Sequence, residues 1–175
     1  SGKTGLEVAR ACYVRAADVT LVRGGIGTDT DAPWATVDHV ESAAEILDAV
    51  LARAGDADAL VSAAAISDYT LDASAEKIRS GQDDLVLELE PTPKLIDTVR
   101  DEYPALPIVG FKAETEGTDE AIVAKAREIR DRADLAFVVG NDASVMGDDR
   151  TRAFVVREDG YDTVEGTKAT LGARV

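Results

Sequence analysis

Short β-rich runs alternate with helical patterns along most of the chain, and this alternation constrains the fold more than any other feature. Parallel neighbouring strands need a long crossover, usually a helix, and that helix covers a face of the sheet. The pattern therefore predicts an α/β fold, a three-layer α/β/α sandwich around a Rossmann-like, mostly parallel sheet. Strands are expected at 19–22, 36–40, 59–63, 85–90, 107–111 and 135–139, and helices at 3–15, 43–54, 93–103 and 118–133. The final segment breaks the alternation. Residues 153–157 and 161–165, joined through Glu158-Asp159-Gly160, read as a β-hairpin that extends the sheet edge. No internal repeat and no second domain is visible, so residues 1–175 are read as a single domain.

Local signals sharpen some of these elements. Leu6, Ala9, Cys12 and Tyr13 fall on one face of the first helix, which places Cys12 in the core. Ser42 precedes a helix with Glu45 at the capping-box position, and Thr118 precedes Ala121, Ile122 and Ala126 at helical spacing. The stretch 24–33, rich in Gly, Thr and Asp, reads as a mobile surface loop. A helix opening this early has no strand to feed it. A first strand and its following loop are therefore expected ahead of residue 1.

Composition narrows the function classes. With 45% hydrophobic residues the chain can bury a core. One cysteine, Cys12, and one histidine, His39, leave almost no ligands for a zinc site and make Cys–His or Ser–His–Asp catalysis a poor expectation. The formal charge is −15, from 34 acidic and 19 basic residues scattered along the chain. Nucleic acid would be repelled. Spread acidity, arginine in excess of lysine and few aromatics also suit a protein from salt-loaded cells, where ionic strength screens self-repulsion. No run of eighteen apolar residues and no leader pattern is present, so a cytoplasmic protein without a membrane span is expected.

Three segments can carry chemistry. Ser1-Gly2-Lys3-Thr4-Gly5 opens the first helix, where free backbone N–H groups suit a phosphate. The Gly-Lys-Thr string also matches the end of a P-loop, but the preceding glycine and strand are absent, as is a dinucleotide glycine fingerprint. Residues 61–69, Val-Ser-Ala-Ala-Ala-Ile-Ser-Asp-Tyr, form a buried strand running into small residues and then an acid, and open α/β sheets bind ligands at such strand ends. Asp68 reads equally as a turn-former or as a hydrogen-bond acceptor for a sugar, base or metal. Lys77, in Glu76-Lys77-Ile78, is either a solvated surface lysine or a neutraliser of phosphate charge.

These blocks, with Val109-Gly110-Phe111-Lys112-Ala113-Glu114-Thr115 and Asn141-Asp142-Ala143-Ser144, resemble in order and spacing the successive blocks of phosphopantothenoylcysteine synthetase over residues 1–144. The resemblance implies phosphopantothenate–cysteine ligase activity in coenzyme A biosynthesis. The substrate carboxylate attacks the α-phosphate of a nucleoside triphosphate, CTP with Mg2+ in the microbial enzymes. Cysteine's amine then displaces the nucleotide.

By the same resemblance Ser1, Gly2, Asp68 and Lys77 contact nucleotide, with Lys77 supporting catalysis. Ala63, Ala64 and Ala65 border the base, Pro93, Lys94, Leu95 and Ile96 form a turn and helix start that contacts nucleotide, and Phe111 packs near the base unless it is simply a core residue ending a strand. The chain departs from the pattern twice. The family's Asn-Pro-Asp is here Thr92-Pro93-Lys94, and two family lysines become Arg127 and Asp131, so that Arg127 can still serve a phosphate while Arg130 or Lys125 stands in for the second lysine. The family's catalytic asparagine would fall ahead of residue 1, and a chain without it is expected to turn over poorly. The resemblance further implies a homodimer, often through the hairpin region, and in many microbes a fused flavin-dependent decarboxylase domain that would carry FMN. A non-catalytic nucleotide-binding module is the alternative. An NAD(P)-dependent oxidoreductase is disfavoured by the missing glycine fingerprint and the lack of a Tyr-x-x-x-Lys pair.

Overall fold

Ser42 fixes the start of one helix in the expected way: its hydroxyl accepts the Glu45 N–H, and the Glu45 carboxylate accepts the Glu41 N–H at 2.8 Å. The computed structural model describes residues 2–24, 32–71, 86–114, 118–142 and 150–175. Their elements are α1 (Lys3–Val14), β1 (Thr20–Gly24), β2 (Thr36–Val40), α2 (Ala43–Ala54), β3 (Leu60–Ser62), β4 (Tyr69–Thr70), β5 (Glu90–Pro91), α3 (Leu95–Glu102), β6 (Ile108–Glu114), α4 (Asp119–Arg132), β7 (Phe137–Asp142), β8 (Arg150–Val156), β9 (Tyr161–Thr167) and α5 (Lys168–Gly172).

The central sheet has the order β3-β6-β7-β8-β9, parallel from β3 to β7 and antiparallel through the β8–β9 hairpin at its edge. β1 and β2 form a separate parallel pair, and β4 and β5 a short antiparallel ribbon. Two apolar clusters cover the two faces of the central sheet. One gathers Val99, Ile108, Ile122, Ala126, Val138 and Phe154 beneath α2, α3 and α4. Across the sheet, Val139, Val155, Val164 and Leu171 pack with Phe111 on the α5 side. Helix α5 in turn lies against α1 so closely that a Cβ on Gly172 would sit 2.6 Å from the Glu7 carbonyl oxygen. The three layers are those the alternation predicts.

Besides shifts of one to three residues at other element ends, such as β3 at Leu60–Ser62 for the strand expected at 59–63, several details differ from the sequence reading. The strand expected at 85–90 is reduced to Glu90–Pro91, which pairs with Tyr69–Thr70 in the short ribbon, with 86–89 irregular. The helix expected from Pro93 starts at Leu95, since Lys94 keeps an extended conformation as its N-cap. Tyr13 is 47% exposed and stacks at 5.4 Å on Trp34, whereas Val8 takes the core position and Cys12 is half-buried. On α4, Ala121 is exposed and Val123 is buried in its place. Helix α5 had no counterpart in the reading. Most of the expected 24–33 loop lies outside the described residues, although Ala32 at its end is buried.

Candidate functional site

The carboxyl ends of the parallel strands, the expected ligand edge of such a sheet, collect most of the singled-out residues that are described. Strand β3 ends at Ser62 and releases the chain through Ala63, Ala64 and Ala65 into Asp68. Ala63 is half-buried; Ala64, Ala65 and Asp68 are exposed. Two helix starts flank this segment. A Cβ on Gly5 would lie 3.5 Å from that of Ala63, which sets the opening turn of α1 on one side. On the other, the Thr92 N–H donates to the Asp68 carbonyl at 2.9 Å and ties the segment to the turn that begins α3. Asp68 thus serves as a turn residue through its backbone while its carboxylate faces outward. Ser67 completes the turn by donating its hydroxyl to the Tyr69 carbonyl at 2.8 Å.

Capping sets these two helices apart. The side chains of Ser42, Thr118 and Thr167 each accept a backbone N–H at the start of α2, α4 and α5. Helices α1 and α3 have no side-chain cap among the described residues: Gly2 stands at one N-cap with φ 64°, Lys94 at the other. Such starts present backbone donors and a positive dipole end. The Thr92 hydroxyl, just before α3, is buried without a hydrogen-bond partner among the described residues.

Charge follows the same geography. The five described lysines, Lys3, Lys94, Lys112, Lys125 and Lys168, all lie on the strand-end side, at helix starts, on the last residues of β6 or on the helix turn paired with them. Lys112 and Lys125 both bind Glu114, whose carboxyl is held below the usual carboxylate range first by Lys125 and then by Lys112.

Pro93 and Lys94 are exposed at the start of α3, Leu95 is buried, and Ile96 is half-buried above Gly110. Phe111 points to the opposite face, half-buried against the α5-side cluster, which favours its core reading. Arg127 is exposed on α4, about 200° around the helix from Lys125. Arg130 lines a hollow of about 320 Å³ with Arg100, Pro107 and Leu135 at the other end of the strands, so it is not at the ligand edge. Asn141 is half-buried at the end of β7. Ser1, Lys77 and the Ala143-Ser144 pair lie outside the described residues. The sequence reading gave no role to Thr92's hydroxyl or to Glu114. Strand alternation was the available signal for the latter, since it puts Gly110, Lys112 and Glu114 on one face.

The model of the DNA/pantothenate metabolism flavoprotein C-terminal domain matches residues 1–175. The chain belongs to that family. Among its relatives, the coenzyme A biosynthesis bifunctional protein CoaBC of Thermococcus kodakarensis is 38% identical over 164 residues, 91% of this chain and 40% of that protein. The chain therefore spans less than half of this relative's length. The crystal structure of the C-terminal domain of a coenzyme A biosynthesis bifunctional protein CoaBC superposes with a TM-score of 0.74 at 28% identity, covering 99% of this chain and 79% of that one. The DNA/pantothenate metabolism flavoprotein of Streptococcus pneumoniae has the same fold, with a TM-score of 0.85 at 23% identity over 98% of this chain and 84% of that one. Membership in the C-terminal domain family agrees with the described architecture, a mixed sheet that is parallel where the candidate site lies.

Proposed function

We propose that the chain is the nucleotide-binding part of a phosphopantothenate–cysteine ligase of coenzyme A biosynthesis. The observation that carries the reading is the convergence of the two uncapped helix starts, α1 and α3, on the Ala63–Asp68 segment at the carboxyl ends of the parallel strands. Backbone donors on both sides of a stretch of small residues suit a nucleotide, with its base against Ala63, Ala64 and Ala65 and its phosphates toward the helix starts. The CoaBC relatives and the family match support the same assignment.

In the proposed reaction the 4'-phosphopantothenate carboxylate attacks the α-phosphate of CTP, the α–β P–O bond breaks, and pyrophosphate leaves with the electron pair. Cysteine's amine then attacks the acyl-cytidylate, releasing CMP and forming the amide. Asp68 and Lys77 are assigned to nucleotide contact, with Lys77 supporting the first step, and Ser1, Gly2, Pro93 and Lys94 to backbone and side-chain contacts with the nucleotide. Magnesium would neutralise triphosphate charge. Such an ion is carried mainly by phosphate oxygens and water, and Asp68 is the carboxylate proposed to help hold it; among the described residues no group of three or more potential ligands is assembled.

Strands β1 and β3 each keep one edge without a partner among the described residues, while Val22 and Leu60 pack against the same core cluster. A strand ahead of residue 1, followed by a loop with the ligase asparagine, is proposed to enter between them. The same proposal extends to a homodimer, to an upstream decarboxylase domain holding FMN, and to a cytoplasmic setting of high ionic strength suited to the −15 charge. No helix among the described residues is long and apolar enough to cross a membrane.

The test is pyrophosphate release by the full-length protein in high salt, with magnesium and each nucleoside triphosphate in turn. Release that requires phosphopantothenate and is fastest with CTP is expected. Release indifferent to phosphopantothenate contradicts the ligase, and nucleotide binding without any release would leave a non-catalytic module.

A further inference from the structure

One face of β6 carries an arrangement that the nucleotide reading alone does not explain. A Cβ on Gly110 would meet Leu135, Val138 and Ile96, so this face is the one covered by α3 and α4. Two residues onward along the strand comes Lys112, and two further on comes Glu114, both on this face by strand alternation. The Glu114 side chain is 15% exposed and accepts from Lys112 Nζ at 3.2 Å and from Lys125 Nζ, on α4, at 2.6 Å. The Lys112 and Lys125 side chains remain 39% and 51% exposed at the strand-end edge.

A structural staple between β6 and α4 would be redundant here, because Ile122, Val123 and Ala126 already bury that face of α4. An isolated surface ion pair also contributes little and leaves its lysine mobile. In this cluster one carboxylate, kept ionised by Lys125 and Lys112, restrains two lysines from two elements and leaves the trio with a net positive charge in a strongly acidic chain. The alternatives for cationic help from α4 point elsewhere: Arg130 lies at the far end of the sheet, and Arg127 is on another side of the helix.

Resting on the nucleotide-binding reading, we propose that Glu114 is a positioning residue that holds the Lys112 and Lys125 ammonium groups as a clamp for the polyphosphate tail of the nucleoside triphosphate. The ammonium groups balance charge that gathers on pyrophosphate as the α–β bond breaks, and their restraint by Glu114 reduces the ordering needed when the tail arrives. The other phosphate in the reaction, the phosphomonoester of phosphopantothenate, has the same chemistry and is separated from the triphosphate by the test.

Equilibrium titrations of the full-length protein with CTP, CMP and 4'-phosphopantothenate, each with magnesium, decide the matter. Lys112→Met and Lys125→Met are each expected to weaken CTP binding about tenfold and to change CMP binding by less than about twofold, since only the longer tail reaches the clamp. Glu114→Gln keeps both ammonium charges but loosens their placement, so pyrophosphate release should slow by about tenfold while the KM for CTP moves by less than about threefold. Lys125→Arg, which can still pair with Glu114, should recover much of the lost CTP affinity. Thermal unfolding of each variant separates these effects from lost folding. Unchanged CTP affinity in both lysine variants overturns the clamp, as does weakening confined to phosphopantothenate. A parent protein that binds neither CTP nor CMP overturns the nucleotide reading and the clamp with it.

Discussion

The two ends of the parallel strands handle their polar groups in opposite ways. At the end where β6 and β7 begin, Arg100 donates to the carbonyls of Ala133, Pro104, Leu106 and Asp134, Tyr103 donates to the Leu51 carbonyl, and Arg15 donates to those of Ala11 and Ala173. Carbonyls left over at helix ends and turns are met by the protein's own side chains, as folding requires. At the strand ends, two helix starts are uncapped and the Thr92 hydroxyl is buried without a partner among the described residues. The first end meets its carbonyls with its own side chains, although Arg130 Nε there is buried without a partner among the described residues, while the second leaves the starts of α1 and α3 without a side-chain cap. Stability and function should therefore respond to mutation at different ends.

Arg100→Ala is the largest expected effect. Removing the guanidinium leaves two part-buried carbonyls, those of Ala133 and Leu106, and two exposed ones without their donor, and a loss of about 3 kcal/mol is expected in urea unfolding, with CTP affinity of the folded protein unchanged. A loss below about 1 kcal/mol would break the contrast between the ends.

Thr92→Val reverses the pattern. An isosteric methyl removes a buried hydroxyl that has no partner among the described residues, so stability should stay within about 0.5 kcal/mol of the parent or rise, while CTP affinity should fall by about fivefold. A marked drop in stability without an affinity change would make Thr92 a structural residue and weaken the assignment of its end of the molecule.

The smallest effect concerns pH. Glu114 has its carboxyl lowered by Lys125 and Lys112, so its contribution to stability is present above the ordinary carboxylate range and is lost as pH falls through its lowered folded value. Glu114→Gln should flatten that part of the acid unfolding profile and leave the neutral and alkaline parts alone. An acid profile identical to the parent's would mean that the lysines do not hold the carboxylate in solution.

Where structure follows from neighbours in sequence, the sequence showed it. Helix α2 has its expected bounds because Ser42 and Glu45 form a local cap, and β2 its expected bounds because 36–40 is a compact β-rich run. The β8–β9 hairpin was recognised but is longer at its open ends, since ladder pairing continues wherever the opposite strand offers partners. Helix α5, five residues long, is too short to display a period and is held by packing on α1. Similar limits applied to the site. Asp68 and the alanines were visible as a strand end running into small residues, and Lys125 was among the named stand-ins for a family lysine. Its pairing with Glu114 was not visible, because contact between residues eleven apart on a strand and the next helix depends on the crossover's geometry. The expectation that Arg130 could serve the same role failed for a related reason: five residues along α4 carry a side chain toward the other end of the sheet.

Amide hydrogen exchange of the full-length protein, with and without magnesium and CTP, tests the division between the two ends most directly. Protection should concentrate at 63–68, 92–96 and the end of β6, while the segments around Arg100 and Ala133–Leu135 exchange as before. Protection centred on the Arg100 end, or none at the three strand-end segments when CTP is bound, would contradict it.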